Sequence, residues 1–247
     1  MKTPRTVLGF HAVQARLRAD ASSVLEIFLD ETREDARARD LLGLAESSGV
    51  KVMRVPGKRL DGFSGGERHQ GVVARVEDTT RREGLEDLLD RLAEPALLLV
   101  LDGITDPHNL GACLRVADAA GVHAVITPKD RAAGIGATVS KVASGAAETM
   151  PYYMVTNLAR TLDDLKDRNI WIVGADERAT KTLYDADLPA AMAWVLGAEG
   201  EGMRRLTRER CDMLVRIPMQ GSVASLNVSV ASGICLFESR RRRMAGS

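Results

Sequence analysis

The sequence predicts an α/β protein whose larger part is a parallel β-sheet with helices on both faces. Its second half alternates between stretches with helical spacing and short apolar runs bounded by turn residues. The runs are ALLLVLD (96–102), VHAVIT (122–127), IWIVGA (170–175), AMAWVLG (191–197) and MLVRIP (213–218). The first is apolar throughout before its closing carboxylate, as expected of a strand buried on both faces. Strands that alternate with helices favour a parallel sheet, because each helix returns the chain to the start of the next strand.

A smaller α/β unit is predicted ahead of this sheet. Its elements are a helix-like stretch (7–19), a strand-like run (24–30), an amphipathic helix closed by Gly49 (33–49) and two further strands (51–56 and 69–77). The stretch EDTTRREG (77–84) has no apolar residue and is typical of a linker. Leucines then follow at helical spacing, at positions 85, 88, 89 and 92. We therefore predict a first domain over 1–76, a linker with a short helix over 77–94 and a second domain over 95–247.

The composition excludes some classes of function. Lysine plus arginine and aspartate plus glutamate both number 34, so no global field draws the chain to nucleic acid or to a membrane. Any RNA or DNA contact must then come from local basic patches. No apolar stretch approaches the roughly 18 residues of a membrane span, and the N-terminus has no apolar signal region. We predict a cytoplasmic protein with no membrane partner.

The cysteines and histidines do not predict a metal site. Cys113, Cys211 and Cys235 lie far apart in apolar runs without a CxxC pair, which favours buried free thiols in a reducing compartment. The four histidines are scattered without the spacing of metal ligands. We predict that the protein binds no metal.

In parallel sheets, ligands bind outside the carboxyl ends of the strands, so the loops after the strands are the candidate sites. The first such loop is LDGITDPHNLGACLR (101–115), in which Asn109 stands near the start of a helix and Arg115 follows on its first turns. Taken alone, Asn109 as a helix N-cap and Arg115 as a solvated arginine explain this loop equally well.

The second loop, VLGAEGEGMRRL (195–206), has three glycines in six residues, which let the backbone pass close to a ligand or to another segment. It lacks both the GxGxxG of dinucleotide-binding folds and the Lys-Ser/Thr of a P-loop, which argues against a nicotinamide-dependent enzyme. Glu199 and Glu201 would repel a phosphate. This loop therefore favours an uncharged or cationic ligand.

The third loop lies in IPMQGSVASLNVSVASGICLFE (217–238). Ser225 is the natural N-cap of the apolar helix that follows, whereas Asn227 and Ser229 are not needed for capping and lower helix propensity there. Small polar residues that let another helix pack closely remain an alternative explanation.

Together these loops resemble the three motifs of the SpoU family, the 2′-O-ribose methyltransferase branch of the SPOUT superfamily. The matching stretches, in order, are NLGACLR (109–115), LGAEGEGM (196–203) and IPMQGSVASLNVSVA (217–231). The resemblance covers the whole chain, because GFHAV (9–13) and HQGVVA (69–74) resemble parts of the small L30e-like RNA-binding domain that precedes the catalytic domain. It implies that the C-terminal segment threads through a loop to form a deep trefoil knot, an exception to the general absence of knots.

The resemblance also implies a cofactor and a set of site residues. The cofactor is S-adenosylmethionine, and the reaction is an in-line transfer of its methyl group to a ribose 2′-hydroxyl. The implied catalytic residues are Asn109, Arg115, Glu199, Ser225 and Asn227. The implied cofactor-binding residues are Gly197, Ile217, Met219 and Leu226. Relatives often carry smaller or hydroxylated residues at Val116, Gln220 and Ala224, which leaves the motif residues untouched.

Substrate and partners are implied in the same way. The runs LDGITDPHNLGACLRVADAAGVHAVI (101–126) and GAEGEGMRRLTRE (197–209) resemble most the members that methylate a guanosine in the P-site loop of 23S rRNA. The same chemistry on tRNA, and a non-catalytic RNA-binding member of the fold, remain alternatives. The family implies a homodimer through the knot region and the last helix, whose apolar residues nearly surround it. RNA selection falls to the first domain, through local groups such as Arg5, Lys51, Arg54, Lys58 and Arg59.

Overall fold

The computed structural model describes residues 4–77 and 84–245, which divide by their internal contacts into two units. The first unit contains residues 4–77 together with Ser144–Thr149, and the second contains Gly84–Ala143 and residues 150–245. The domain boundaries at 76 and 94 stay a prediction, and residues 78–83 of the expected linker lie outside the described residues.

Strands and helices are numbered here along the described chain. The strands are β1 (Arg5–Leu8), β2 (Val24–Asp30), β3 (Val52–Val55), β4 (Val72–Val76), β5 (Leu97–Asp102), β6 (Ala124–Pro128), β7 (Tyr152–Val155), β8 (Trp171–Ala175), β9 (Met192–Gly197) and β10 (Met213–Val215). The helices are α1 (Phe10–Asp20), α2 (Ala36–Ser47), α3 (Gly57–Ser64), α4 (Leu85–Asp90), α5 (Pro107–Ala119), α6 (Ala137–Val142), α7 (Ala146–Thr149), α8 (Leu158–Asp167), α9 (Arg205–Arg210) and α10 (Val228–Ala245).

The first unit is built on a four-stranded mixed sheet in the order β1-β4-β2-β3, in which only β2 and β3 are parallel. Alternation along β2 explains why both faces are covered. Ile27 and Leu29 join the core beneath α1 and α2, whereas Phe28 faces the other side. The centroids of the Phe28 and Phe63 rings lie 4.3 Å apart. Asp35 starts α2 by accepting a hydrogen bond from the backbone N–H of Ala38.

The short helix α7 belongs to the first unit although it is distant from it in sequence. It packs on α1, and a Cβ on Gly145 would lie only 2.9 Å from the Ala15 side chain and from the His11 carbonyl. The buried carboxylate of Glu148 accepts hydrogen bonds from Arg5, whose guanidinium reaches it from the start of β1. The first unit is therefore assembled from two separate stretches of chain.

The second unit is built on a six-stranded sheet in the order β10-β8-β9-β5-β6-β7, with every pair parallel. This arrangement confirms the predicted α/β class, and β5 is buried along its whole length, as its apolar run indicates. The sequence analysis did not predict β7. Its residues YYMV (152–155) form a four-residue edge strand that is only half buried, although all four are apolar or aromatic types that are typical of strands.

Helix α10 packs on α5 and on β9. The indole N–H of Trp194 donates to the Ser239 hydroxyl at 2.8 Å, and Arg240 donates to the Ala120 carbonyl at the end of α5. Cys113 and Cys235 are buried free thiols, and burial raises their pKa to about 11 and about 12. No helix in the described part of the chain is both long and apolar enough to span a bilayer.

Candidate active site

A pocket opens at the carboxyl ends of β8 and β9, where a parallel sheet is expected to hold its ligands. Three segments line it: residues 175–178 after β8, residues 196–203 at the end of β9, and parts of 217–231 around the start of α10. The last two segments contain the second and third sequence motifs. The fold thus brings together stretches that are separate in the sequence.

The glycine loop after β9 folds tightly against itself. A Cβ on Gly197 would lie 2.0 Å from the carbonyl carbon of Gly202 and 2.1 Å from the backbone nitrogen of Met203, so no other residue fits there. Gly200 and Gly202 adopt φ of 82° and 71°, which other residues rarely do, and the Gly202 N–H donates to the Ala198 carbonyl at 2.8 Å. The glycines are required because the loop closes on its own backbone.

The first and third motifs meet through two asparagines. The Asn227 amide donates to the Asn109 side-chain oxygen at 2.8 Å, which joins the start of α10 to the first turn of α5. The Asn227 oxygen accepts from the backbone N–H and the hydroxyl of Ser229, at 2.9 and 2.7 Å. Asn227, and not Ser225 as the sequence predicts, therefore accepts a hydrogen bond from a free backbone N–H at the start of α10 and caps the helix.

Asn109 is not the N-cap of α5 either. That position belongs to Asp106, whose carboxylate accepts from the backbone N–H of His108 at 2.9 Å, with Pro107 as the first helical residue. The Asn109 side chain is thereby left to bond Asn227. The capping explanation of Asn109, which the sequence alone leaves open, is wrong.

The predicted site residues divide into two groups. Those that line the pocket are Gly197, Glu199, Ile217, Met219, Ser225 and Leu226. Asn109 and Asn227 bond each other beside it, since Leu226 and Val228 on either side of Asn227 both line the pocket. Arg115 is exposed on α5 and does not line the pocket.

The sequence analysis missed the charged residues after β8. Asp176 and Arg178 both line the pocket, and the buried Asp176 carboxylate accepts from the Arg178 backbone N–H and guanidinium at 2.9 to 3.0 Å. The Arg208 guanidinium donates to it at 2.8 Å. Burial alone would raise the pKa of Asp176, but the hydrogen bonds from Arg178 and the charges of both arginines outweigh it and hold the pKa below its usual value.

The pocket is acidic overall. The acidic residues that line it are Asp176, Glu177, Glu199 and Glu201, whereas Arg178 is its only basic lining residue among those described. Such a lining disfavours a polyphosphate ligand and suits one that is neutral or cationic. Within residues 4–77 and 84–245, no three His, Cys, Asp or Glu side chains are grouped closely enough to hold a metal ion.

Family comparisons match both units. The SpoU rRNA Methylase family matches residues 96–237, and the family described as RNA 2'-O ribose methyltransferase substrate binding matches residues 6–81. A protein from Ralstonia nicotianae named 23S rRNA (guanosine-2'-O-)-methyltransferase RlmB is 60% identical over 98% of this chain and 98% of its own length. The protein of that name from Escherichia coli is 55% identical over 96% of this chain and 98% of its own.

Solved structures give the same result for the fold. The SpoU methyltransferase AviRb from Streptomyces viridochromogenes, in complex with the cofactor AdoMet, aligns with a TM-score of 0.79 at 26% identity, over 99% of this chain and 92% of its own. A structure described as an RNA 2'-O ribose methyltransferase aligns with a TM-score of 0.77 at 28% identity, over 98% and 89%. The chain belongs to the SpoU rRNA methylase family.

Proposed function

We propose that this protein transfers the methyl group of S-adenosylmethionine to the 2′-hydroxyl of a guanosine ribose in 23S rRNA. The observation that carries the proposal is the acidic, glycine-walled pocket at the carboxyl ends of β8 and β9, built from two of the family's three motifs. Relatives of nearly equal length carry that activity in their names, and AviRb was solved with AdoMet. The proposal includes three finer features carried by the resemblance: the P-site loop as target, the trefoil knot and a cytoplasmic location.

The residues present fit S-adenosylmethionine. Ile217, Met219 and Leu226 are half-buried apolar groups on the pocket wall, suited to the faces of an adenine ring. The self-packed turn at Gly197 leaves backbone groups at the pocket surface, which suit the edge of an uncharged base. When bound, the cofactor supplies a methyl group activated by its sulfonium, and the neighbouring carboxylates favour that positive charge.

The chain's own residues position the second substrate. The hydrogen bond between Asn109 and Asn227 fixes the start of α5 against the start of α10, so groups from both motifs hold constant positions. Holding two reactants in line provides most of the acceleration expected of such a site. The weakly acidic 2′-hydroxyl also has to lose a proton, and we assign that assistance to Arg115.

Methyl transfer from labelled S-adenosylmethionine to 23S rRNA and to tRNA, with the purified protein, tests the proposal. We expect label in 23S rRNA at one guanosine ribose, and loss of that modification in a strain lacking the protein. Label in tRNA alone would favour the tRNA alternative. Cofactor binding without transfer to either RNA would favour a non-catalytic member of the fold.

We also propose that the protein is a homodimer through α10. Val230, Phe237 and Met244 are exposed apolar side chains spaced seven residues apart, so they form one stripe along that helix. Exposed apolar stripes of this kind mark protein interfaces. We expect Phe237→Asp to convert a dimer into a monomer, as measured by light scattering at micromolar concentration.

Leu206→Asp is the matched control for that experiment, because Leu206 is a similarly exposed apolar residue on α9. It should leave the dimer intact. A wild-type protein that is monomeric at micromolar concentration and still active would contradict the proposal.

Among the basic residues proposed to contact RNA in the first unit, Lys58 and Arg59 are the best candidates. Arg5 is already bound to the buried Glu148, whereas Lys58 and Arg59 are exposed at the start of α3. We expect the double substitution Lys58→Ala, Arg59→Ala to weaken RNA binding, and to reduce its salt dependence by about one unit of slope per lost phosphate contact.

The control is Arg37→Ala, Arg39→Ala, which removes two exposed arginines from α2 of the same unit. Affinity for S-adenosylmethionine should stay unchanged in both double variants, because neither touches the pocket. Equal losses of RNA affinity in the two variants would indicate a diffuse charge effect and refute this assignment.

A further inference from the structure

The arginines around α9 look like a basic RNA-binding stripe, but each of them forms an ion pair within the chain. Each is paired with a carboxylate: Arg204 with Asp102, Arg205 with Glu209, Arg208 with Asp176, and Arg210 with Asp163. The pairs differ in their surroundings. Those of Arg204 and Arg208 end on buried carboxylates, whereas the other two lie between partly exposed side chains.

Asp102 holds the far end of the glycine loop. Its carboxylate is fully buried at the end of β5 and accepts from the backbone N–H of Arg204 at 2.9 Å and from the Arg204 Nε at 2.6 Å. Asp102 is also the register partner of Gly197, the first residue of the loop. Both ends of the segment 197–204 are thus attached to one point at the end of β5.

Asp176 binds helix α9, which directly follows this segment, from the opposite side. It follows β8, and in the sheet β8 and β5 are the two neighbours of β9, from which the glycine loop emerges. Arg208, which donates to Asp176, lies four residues after Arg204 and therefore on the same face, one helical turn further on. Carboxylates at the ends of both flanking strands therefore bind the start of α9. Asp102 binds Arg204, and Asp176 binds Arg208 one turn later.

We propose that the pairs Asp102–Arg204 and Asp176–Arg208 form a two-sided clamp that sets the position of the glycine loop and thereby the affinity for S-adenosylmethionine. The inference rests on the proposed function, and it makes Asp102, Arg204 and Arg208 positioning residues. A loop with three glycines loses much conformational freedom when it is held in one state. When only a fraction of the molecules has the loop in its binding state, the apparent dissociation constant rises by the inverse of that fraction.

The clamp is tested by Asp102→Asn and Arg204→Ala, each measured by calorimetric titration with S-adenosylmethionine. Asparagine keeps the size of Asp102 and an acceptor for the Arg204 N–H but removes the charge-assisted bonds. We expect each variant to raise the dissociation constant about tenfold or more, which corresponds to a competent fraction of about one tenth. At saturating cofactor, turnover should recover most of the wild-type value, so the effect falls on KM and not on kcat.

Arg210→Ala is the matched control. It removes an arginine–carboxylate pair from the same helix, but its partner Asp163 lies on α8 and not at a strand end. Its dissociation constant should stay within about twofold of the wild-type value. The combined variant Asp102→Asn, Arg204→Ala should bind no more weakly than the worse single variant, because both changes break one interaction.

The outcomes distinguish a failure of the clamp from a failure of the proposed function. Wild-type affinity in Asp102→Asn and Arg204→Ala, or an equal loss in Arg210→Ala, would overturn the clamp while leaving the proposed function in place. A wild-type protein that does not bind S-adenosylmethionine would overturn the proposed function itself. If Asp102→Asn does not fold, Arg208→Ala, whose side chain is partly exposed, decides the question by the same titration.

Discussion

Replacing Gly197 by alanine is expected to weaken S-adenosylmethionine binding by about 100-fold. The new methyl group would lie 2.0 Å from the carbonyl carbon of Gly202 and 2.1 Å from the nitrogen of Met203. Both are backbone atoms, so no side-chain rotation relieves the overlap and the pocket wall has to move. Overpacking of this kind costs about 1–3 kcal/mol of folding free energy. Because the cost falls on the loop conformation that walls the pocket, its upper end corresponds to about 100-fold in affinity. Calorimetric titration measures the effect directly.

Gly221→Ala provides the control, because it makes the same chemical change in the neighbouring loop, where a Cβ meets nothing within 4 Å. That variant should bind the cofactor within about twofold of the wild type. Thermal unfolding of both variants separates a local effect from a loss of the fold. Normal affinity in Gly197→Ala would mean that the pocket at the end of β9 is not the cofactor site.

Replacing Arg115 by alanine or by lysine is expected to lower turnover by at least about 100-fold, the scale of one lost oxyanion donor. Arg115 is exposed on α5 and does not line the pocket, so affinity for S-adenosylmethionine should barely change. A guanidinium offers five donors in a planar fork and no acceptor while it is charged, which lysine cannot reproduce. Arg160→Ala, which removes an exposed arginine of α8, is the control and should keep full turnover.

Two roles for Arg115 give different pH profiles. A charged guanidinium that binds the adjacent phosphate and stabilises the developing oxyanion leaves the shape of the profile unchanged when it is removed. A neutral arginine that accepts the proton gives a rising limb that disappears in the variant. Near wild-type turnover in Arg115→Lys would exclude both roles and make Arg115 an ordinary surface arginine.

The sequence was sufficient for β5, β6 and β9 because these strands are buried almost along their whole length and are therefore largely apolar. β7 could also have been predicted, because YYMV (152–155) is a short run of apolar and aromatic residues that follows Pro151. The start of α5 could have been read from the sequence: Asp106 followed by Pro107 is a typical N-cap and first helical residue. Asp106 is therefore a better cap candidate than Asn109, which lies three residues later.

For the candidate site, the sequence predicts which loops form it but not which of their side chains pair. Asp176 and Arg178 directly follow an apolar run, so the same rule could have located them. The pairing of Asp102 with Arg204 could not have been inferred, because the partners are 102 residues apart and meet only once β5 and β9 are neighbours. Periodicity identifies elements, whereas which charges meet depends on the order of strands in the sheet.

The separate origin of α7 has a consequence for how the chain is synthesised. When the ribosome has translated the chain to residue 83, the first unit still lacks the helix that packs on α1 and carries the acid partner of Arg5. That helix is complete at Thr149, about 66 residues later, which corresponds to about 3–13 s at typical rates of bacterial and eukaryotic elongation. Throughout that interval the nascent first unit exposes the α1 surface around Ala15 to chaperones and to other chains. The first unit is therefore complete only after translation of a segment that lies well inside the methylase family region.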